Sequence, residues 1–166
     1  VNVTIGFTTS DWWVSRVIRW FTRSRVSHAA LLLRGTDLGD LVLEASAAGF
    51  RLSTVEALTR GTTRLVAEVT PASPVDGVLP QVLRWLGEKY NYAGLFGESW
   101  VSLWRRFGKR ARNPLRNSTS MFCSEACVYA LQLAKYPGAD GLDPQSTSPE
   151  DLLEFLDSTG STRALT

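Results

Sequence analysis

The sequence predicts an α+β fold, a central antiparallel sheet packed against helices, formed as a single domain over residues 1–166. Three observations predict it. Strand-like apolar runs crowd the first 70 residues and are separated by short turn signals, as a sheet of neighbouring antiparallel strands requires. Apolar positions at helical spacing appear before those runs and again after residue 75. A chain of 166 residues with 44% hydrophobic and 20% charged side chains suits one sizeable core, not two.

Taken in order, Val3 to Phe7 reads as a short strand, and Ser10-Asp11 offers a cap for a following helix. That helix places Trp13, Val17, Trp20 and Phe21 on one face and Arg16, Arg19 and Arg23 on the other. His28 to Leu33, Leu41 to Ala45 and Arg64 to Val69 are the next strands, with a Gly35 to Gly39 turn and a short helix near Thr54 to Leu58 between them. Val75, Val78, Leu79, Val82, Leu83 and Leu86 then predict a helix to about Tyr90, which Pro80 must either kink or begin. A further helix is expected around Glu98 to Phe107, followed by a basic loop through Arg116. Ser118, Thr119 and Ser120 are candidate caps for a helix from about Met121 to Ala134, with Cys123, Ala126, Cys127, Ala130 and Leu131 on its buried stripe. Ser148-Pro149-Glu150 opens a last short helix to about Leu156.

Composition excludes several function classes. No apolar run reaches the roughly 18 residues of a spanning helix, and Val1 to Ser10 lacks a basic-then-apolar secretory pattern. A soluble chain without signal peptide or transmembrane segment is therefore expected. The net charge of +2 is too small to imply specific nucleic-acid binding, although Arg105, Arg106, Lys109, Arg110, Arg112 and Arg116 crowd one stretch. Two cysteines and one histidine do not supply the four N or S ligands of a closed zinc site, so neither metal nor other cofactor is expected. Cys123 and Cys127, four apart on a predicted helix, are poorly placed to bridge each other and are expected to be free.

The chemistry-bearing candidates are Cys123, His28 and Glu44. A thiol attacks as thiolate, and its pKa falls at a helix N-terminus beside an imidazole. Cys123 lies in the first turn of its predicted helix, where unsatisfied N–H groups also suit an oxyanion; Cys127 sits one turn deeper. His28 opens an apolar strand, and Glu44 lies between Leu43 and Ala45 in the next, where a carboxylate needs a partner. On adjacent antiparallel strands the two can face each other, the carboxylate fixing the imidazole tautomer. Each residue also has a plainer reading. A buried Cys at a helix start can be packing, a His at a strand end can be structural, and Glu44 can be exposed by simple alternation.

Blocks of sequence around these residues resemble the circularly permuted branch of the NlpC-type papain-like cysteine hydrolases, which includes YiiX-like and lecithin:retinol acyltransferase-like proteins. Ser27-His28-Ala29-Ala30-Leu31-Leu32-Leu33 resembles that family's histidine strand, and Leu41-Val42-Leu43-Glu44-Ala45 the strand carrying its third polar residue. Gly87 to Gly94, with Tyr90 and Tyr92, is similar to the segment supplying an active-site tyrosine, and Phe122-Cys123-Ser124-Glu125-Ala126 to the nucleophile block. Histidine before cysteine is the order of the permuted branch. Val17 to Thr22, Asp143-Pro144 and Thr147 to Leu152 extend the likeness over most of the chain. Phe122 and Glu125 depart from the Asp and Gly usual in unpermuted relatives, which leaves their cell-wall peptide specificity open.

The resemblance implies a papain-like fold with the nucleophile at a helix N-terminus, Cys123 attacking a carbonyl, His28 as base and Glu44 orienting it. It implies substrate contacts at Tyr90, Tyr92, Ser27 and Phe122, and a peptide or acyl substrate. Leu95, Phe96, Trp100, Val101 and Trp104 beside the basic cluster make 95–116 a candidate contact with an anionic membrane surface, and a lipid acyl substrate the alternative to an amide. A catalytically silent module of a phage or secretion assembly is the reading from a different class.

Overall fold

A computed structural model describes residues 1–11, 16, 24–46, 49–87, 89–90, 120–121 and 123–165, with 89–90, 120–121 and 162–165 described by their backbone course. Among the described residues the main feature is a six-stranded sheet in which every neighbouring pair is antiparallel. Its strands are β1 (Asn2–Thr9), β2 (His28–Thr36), β3 (Gly39–Ser46), β4 (Gly49–Thr54), β5 (Arg64–Thr70) and, last in the chain, β8 (Thr162–Leu165), in the spatial order β4-β3-β2-β1-β5-β8. A separate two-stranded parallel ladder pairs β6 (Lys89–Tyr90) with β7 (Ser120–Met121). The helices are α1 (Val55–Leu58), α2 (Leu79–Val82), α3 (Cys123–Leu133) and α4 (Pro149–Ser158).

Alternation sorts the strand residues between two faces. Ile5, Leu31, Leu43 and Val69 lie level on one face, where they join Ala126, Cys127, Ala130 and Leu131 of α3 and Leu152, Leu153 and Leu156 of α4 in the main core. Burying each leucine stabilises the fold by about 1.5–3 kcal/mol. On the opposite face Ala30, Leu32 and Val42 form a smaller cluster with Leu58 of α1.

The β2–β3 hairpin sets the register on which the site depends. Gly39, at φ +90°, pairs with Thr36, and the Asp40 carboxylate accepts the Gly35 N–H at 3.1 Å and bonds Arg34 at 2.7 Å. Leu31 then pairs with Leu43, which brings Glu44 level with Ala30. A slip of one residue would send Glu44 to the other face.

The helix ends follow local chemistry. Ser148 caps α4 in a capping box: its hydroxyl accepts the Asp151 N–H, and the Asp151 carboxylate accepts the Ser148 N–H. At the other end of α3, Lys135 takes φ +53° and the Tyr136 N–H donates to the Leu131 carbonyl, a left-handed stop that satisfies a terminal carbonyl.

Three sequence expectations are corrected. The helix expected from Val75 to Tyr90 is instead a 3-10 turn (Asp76–Val78), the single turn of α2, and a second 3-10 turn (Leu83–Trp85). Pro80 sits in the first turn of α2, Gly87 has φ +90°, and Lys89–Tyr90 is already strand. The nucleophile helix begins at Cys123, not Met121, because Ser120–Met121 pairs with Lys89–Tyr90; Ser120 is thus a strand residue and not a cap. Strands β4 and β8 were not expected. The helices predicted after Ser10 and around Glu98 to Phe107, the basic loop, and the caps Ser118 and Thr119 lie outside the described residues, apart from Asp11 and Arg16.

Candidate active site

Glu44 would be exposed if it were an ordinary polar strand residue. It is 4% exposed, and both of its oxygens are occupied. Oε2 lies 3.1 Å from Nε2 of His28. Oε1 accepts two bonds from Arg51, from Nε at 3.0 Å and from Nη2 at 2.7 Å. The strand register explains both contacts. Arg51 of β4 stands directly opposite Glu44 across the β3–β4 ladder, while His28 is its diagonal neighbour across β2–β3.

Cys123 is the first residue of α3 and is buried. The His28 side chain and the backbone amides of Ala29 and Ser124 lie near enough to its sulfur to favour the thiolate electrostatically. With Nε2 of His28 on Glu44, Nδ1 is the ring nitrogen left for the thiol. Three elements thus form one line: sulfur on α3, imidazole on β2, carboxylate on β3.

The electrostatics divide the two cysteines. Burial alone would push the Cys123 thiol up, but the hydrogen bond and charge of His28, with the two amides, outweigh it and hold Cys123 below the usual thiol range. For His28 burial opposes the charged ring, yet the bonds and charges of Cys123 and Glu44 raise its pKa to about 10. Burial likewise opposes ionisation of Glu44, and His28 followed by Arg51 holds it below its ordinary value. All three shifts run in the direction of a thiolate–imidazolium pair with an ionised carboxylate behind it. Cys127, fully buried one turn along, is pushed the other way by burial and by repulsion from Cys123. The His28 side chain keeps 21% of its surface exposed, so it is reachable from solvent.

Several contacts hold this arrangement in place. The Ser124 hydroxyl donates to the Thr147 carbonyl at 2.6 Å, tying the first turn of α3 to the loop before α4. Glu150 of α4 accepts from the Ser24 hydroxyl at 2.6 Å and from the Arg25 N–H at 3.1 Å, fixing the chain that leads into His28. Trp85 packs against Phe50 of β4 at 6.1 Å and Tyr129 of α3 at 5.8 Å between ring centroids, bracing the strand of Arg51 against the helix of Cys123.

Of the remaining expected site residues, Ser27 is buried directly before His28, with its hydroxyl 3.5 Å from the Thr8 carbonyl oxygen. Tyr90 is described only as a backbone position in β6, in register with Met121. Tyr92, Phe122 and 95–116 lie outside the described residues. Sequence reasoning missed Arg51. Its signal was Gly49-Phe50-Arg51-Leu52, a turn glycine followed by alternation, which pairs Arg51 with Glu44 once it is read as the return strand of a hairpin. Among the described residues no cluster of three or more His, Cys, Asp or Glu is arranged to hold a metal ion, and no helix is long and apolar enough to cross a membrane. No protein-family model matches the chain, and no curated protein matches it.

Proposed function

We propose that this chain is a cysteine hydrolase with a permuted NlpC-type papain-like fold, cleaving an amide or peptide bond through a thioester on Cys123. The observation that carries the reading is the Cys123–His28–Glu44 line, with sulfur on a helix's first turn, imidazole at a strand start and a buried carboxylate behind it. The chain order of the three residues and the sequence blocks around them agree with that branch.

The Cys123 thiolate attacks the substrate carbonyl carbon, and negative charge moves to the carbonyl oxygen. N–H groups in the first turn of α3, which have no intrahelical acceptor, face that charge. As the intermediate collapses the C–N bond breaks, and His28 passes the proton held on Nδ1 to the leaving amine. A water then attacks the thioester carbon and gives a proton to His28. Release of the carboxylic acid returns the sulfur as thiolate beside the imidazolium. Glu44 keeps Nε2 engaged throughout and stabilises the ring when it is charged.

The test is mass spectrometry of the intact protein after brief exposure to peptide, muropeptide and lipid acyl substrates, followed by mapping of the adduct. An acyl mass on Cys123 that is absent from Cys123→Ala supports the reading, and its identity decides between amide and lipid ester. Turnover that survives Cys123→Ala, or an adduct mapped to Cys127, contradicts it.

A further inference from the structure

Glu44 has two nearly buried oxygens, and the triad uses only one. The other faces Arg51, whose Nε and Nη2 converge on Oε1 at 3.0 and 2.7 Å. A carboxylate so held cannot rotate to offer Oε1 to His28, and the two-donor guanidinium favours its anionic form. Arg51 is 49% exposed, so its far side meets water while its donor edge closes the site. Its position follows from the β3–β4 register and from the Phe50–Trp85 contact beside it.

We propose that Arg51 is a positioning residue that acts through Glu44: it fixes the carboxylate in its ionised form and orientation, and so extends the reactivity of Cys123 to lower pH. This rests on the proposed function. Among the described residues the charged groups facing Glu44 are His28 from β2 and Arg51 from β4, with the Cys123 sulfur of α3 beyond the imidazole. Without Arg51 the carboxylate takes a proton at higher pH, His28 loses its anionic partner, and the thiolate is no longer supported.

The test follows iodoacetamide alkylation of Cys123 against pH in the wild-type protein, Arg51→Gln and Arg51→Lys, counting only protein whose unfolding midpoint shows it to be folded. Arg51→Gln should move the acid limb up by about one pH unit, leaving about tenfold less reactive sulfur on that limb. Arg51→Lys keeps the charge but loses the two-donor grip, and should fall between the two. A merely structural Arg51 would lower the unfolding midpoint and leave the limb in place. Superimposed limbs in folded wild type and Arg51→Gln overturn the role of Arg51 and leave the triad standing. A wild-type Cys123 that titrates like an ordinary thiol overturns the triad itself, and with it the inference.

Discussion

Replacing Glu44 by Gln should lower the pKa of His28 by a predictable amount. Gln is close to Glu in shape but offers one oxygen acceptor and one NH2 donor. Glu44 presently accepts on both oxygens, from Arg51 on Oε1 and from His28 on Oε2. If the Gln oxygen stays with the two Arg51 donors, its NH2 faces the Nε2 edge of His28, donor against donor. A hydrogen bond to a charged group is worth about 1.5–3 kcal/mol. At 1.36 kcal/mol per pKa unit this corresponds to a fall of roughly one to two units for His28, from its wild-type value of about 10. His28 is the only histidine, so its ring 15N signals can be followed without ambiguity through a pH titration. A midpoint that stays at the wild-type value in folded Glu44→Gln, or moves up, would refute the reasoning that the carboxylate supports the imidazolium.

The site also shapes stability against pH. The raised His28 contributes stability that is complete below 6.5 and is lost as pH rises through about 10. The lowered Cys123 contributes stability that is complete above 9.0 and is lost as pH falls toward its depressed value. Within 6.5 to 9.0 the two slopes oppose each other from 9.0 down to the depressed Cys123 value, so urea unfolding should flatten over that span, with a decline toward pH 10 and a decline on the acid side, steepened below 4.5 by protonation of Glu44. Cys123→Ser removes the thiol's contribution and, with it, the largest support of the charged His28 ring, so the limbs on both sides should shift or shrink; a profile identical to wild type on both sides would count against the ion pair. One strand beyond Ala30, in the row that carries Glu44, Gly6 in β1 leaves room for Leu32: a Cβ there would lie 2.7 Å from Leu32 Cδ1, inside the smaller core cluster. Gly6→Ala should destabilise by about 1–3 kcal/mol, read as a lower urea midpoint with unchanged slope. An unaltered midpoint would mean that this face repacks freely.

Much of the sheet was legible because β1, β2, β3 and β5 are apolar runs bounded by turn residues, and their burial was written in their composition. Glu44 was legible for the opposite reason, as a carboxylate where a carboxylate is costly. What escaped is tertiary. Residues 75–90 carry helical spacing, but Gly77, Pro80 and Gly87 interrupt it, and the apolar positions are met by short turns that still bury Val75, Val78 and Val82. Ser120–Met121 resembled a helix start because its strand partner lies some 30 residues earlier, at Lys89–Tyr90, a pairing that no local pattern encodes. Arg51 was hidden with β4, whose mixed exposure weakens the alternation that would reveal it. The three residues of the proposed triad were legible one by one, and the facing of His28 and Glu44 followed from adjacent antiparallel strands. The hairpin register that sets that facing, and the packing of α3 that brings Cys123 to the start of β2, were not.

The central claim is that Cys123 is held as a reactive thiolate by His28, and the most direct measurement is the alkylation rate of each cysteine in the native wild-type protein between pH 6 and 8. Cys123 should react far faster than Cys127, at a rate nearly flat across that range. A Cys123 rate that climbs about tenfold per pH unit, as an unassisted thiol does below its pKa, or that merely matches Cys127, would contradict it.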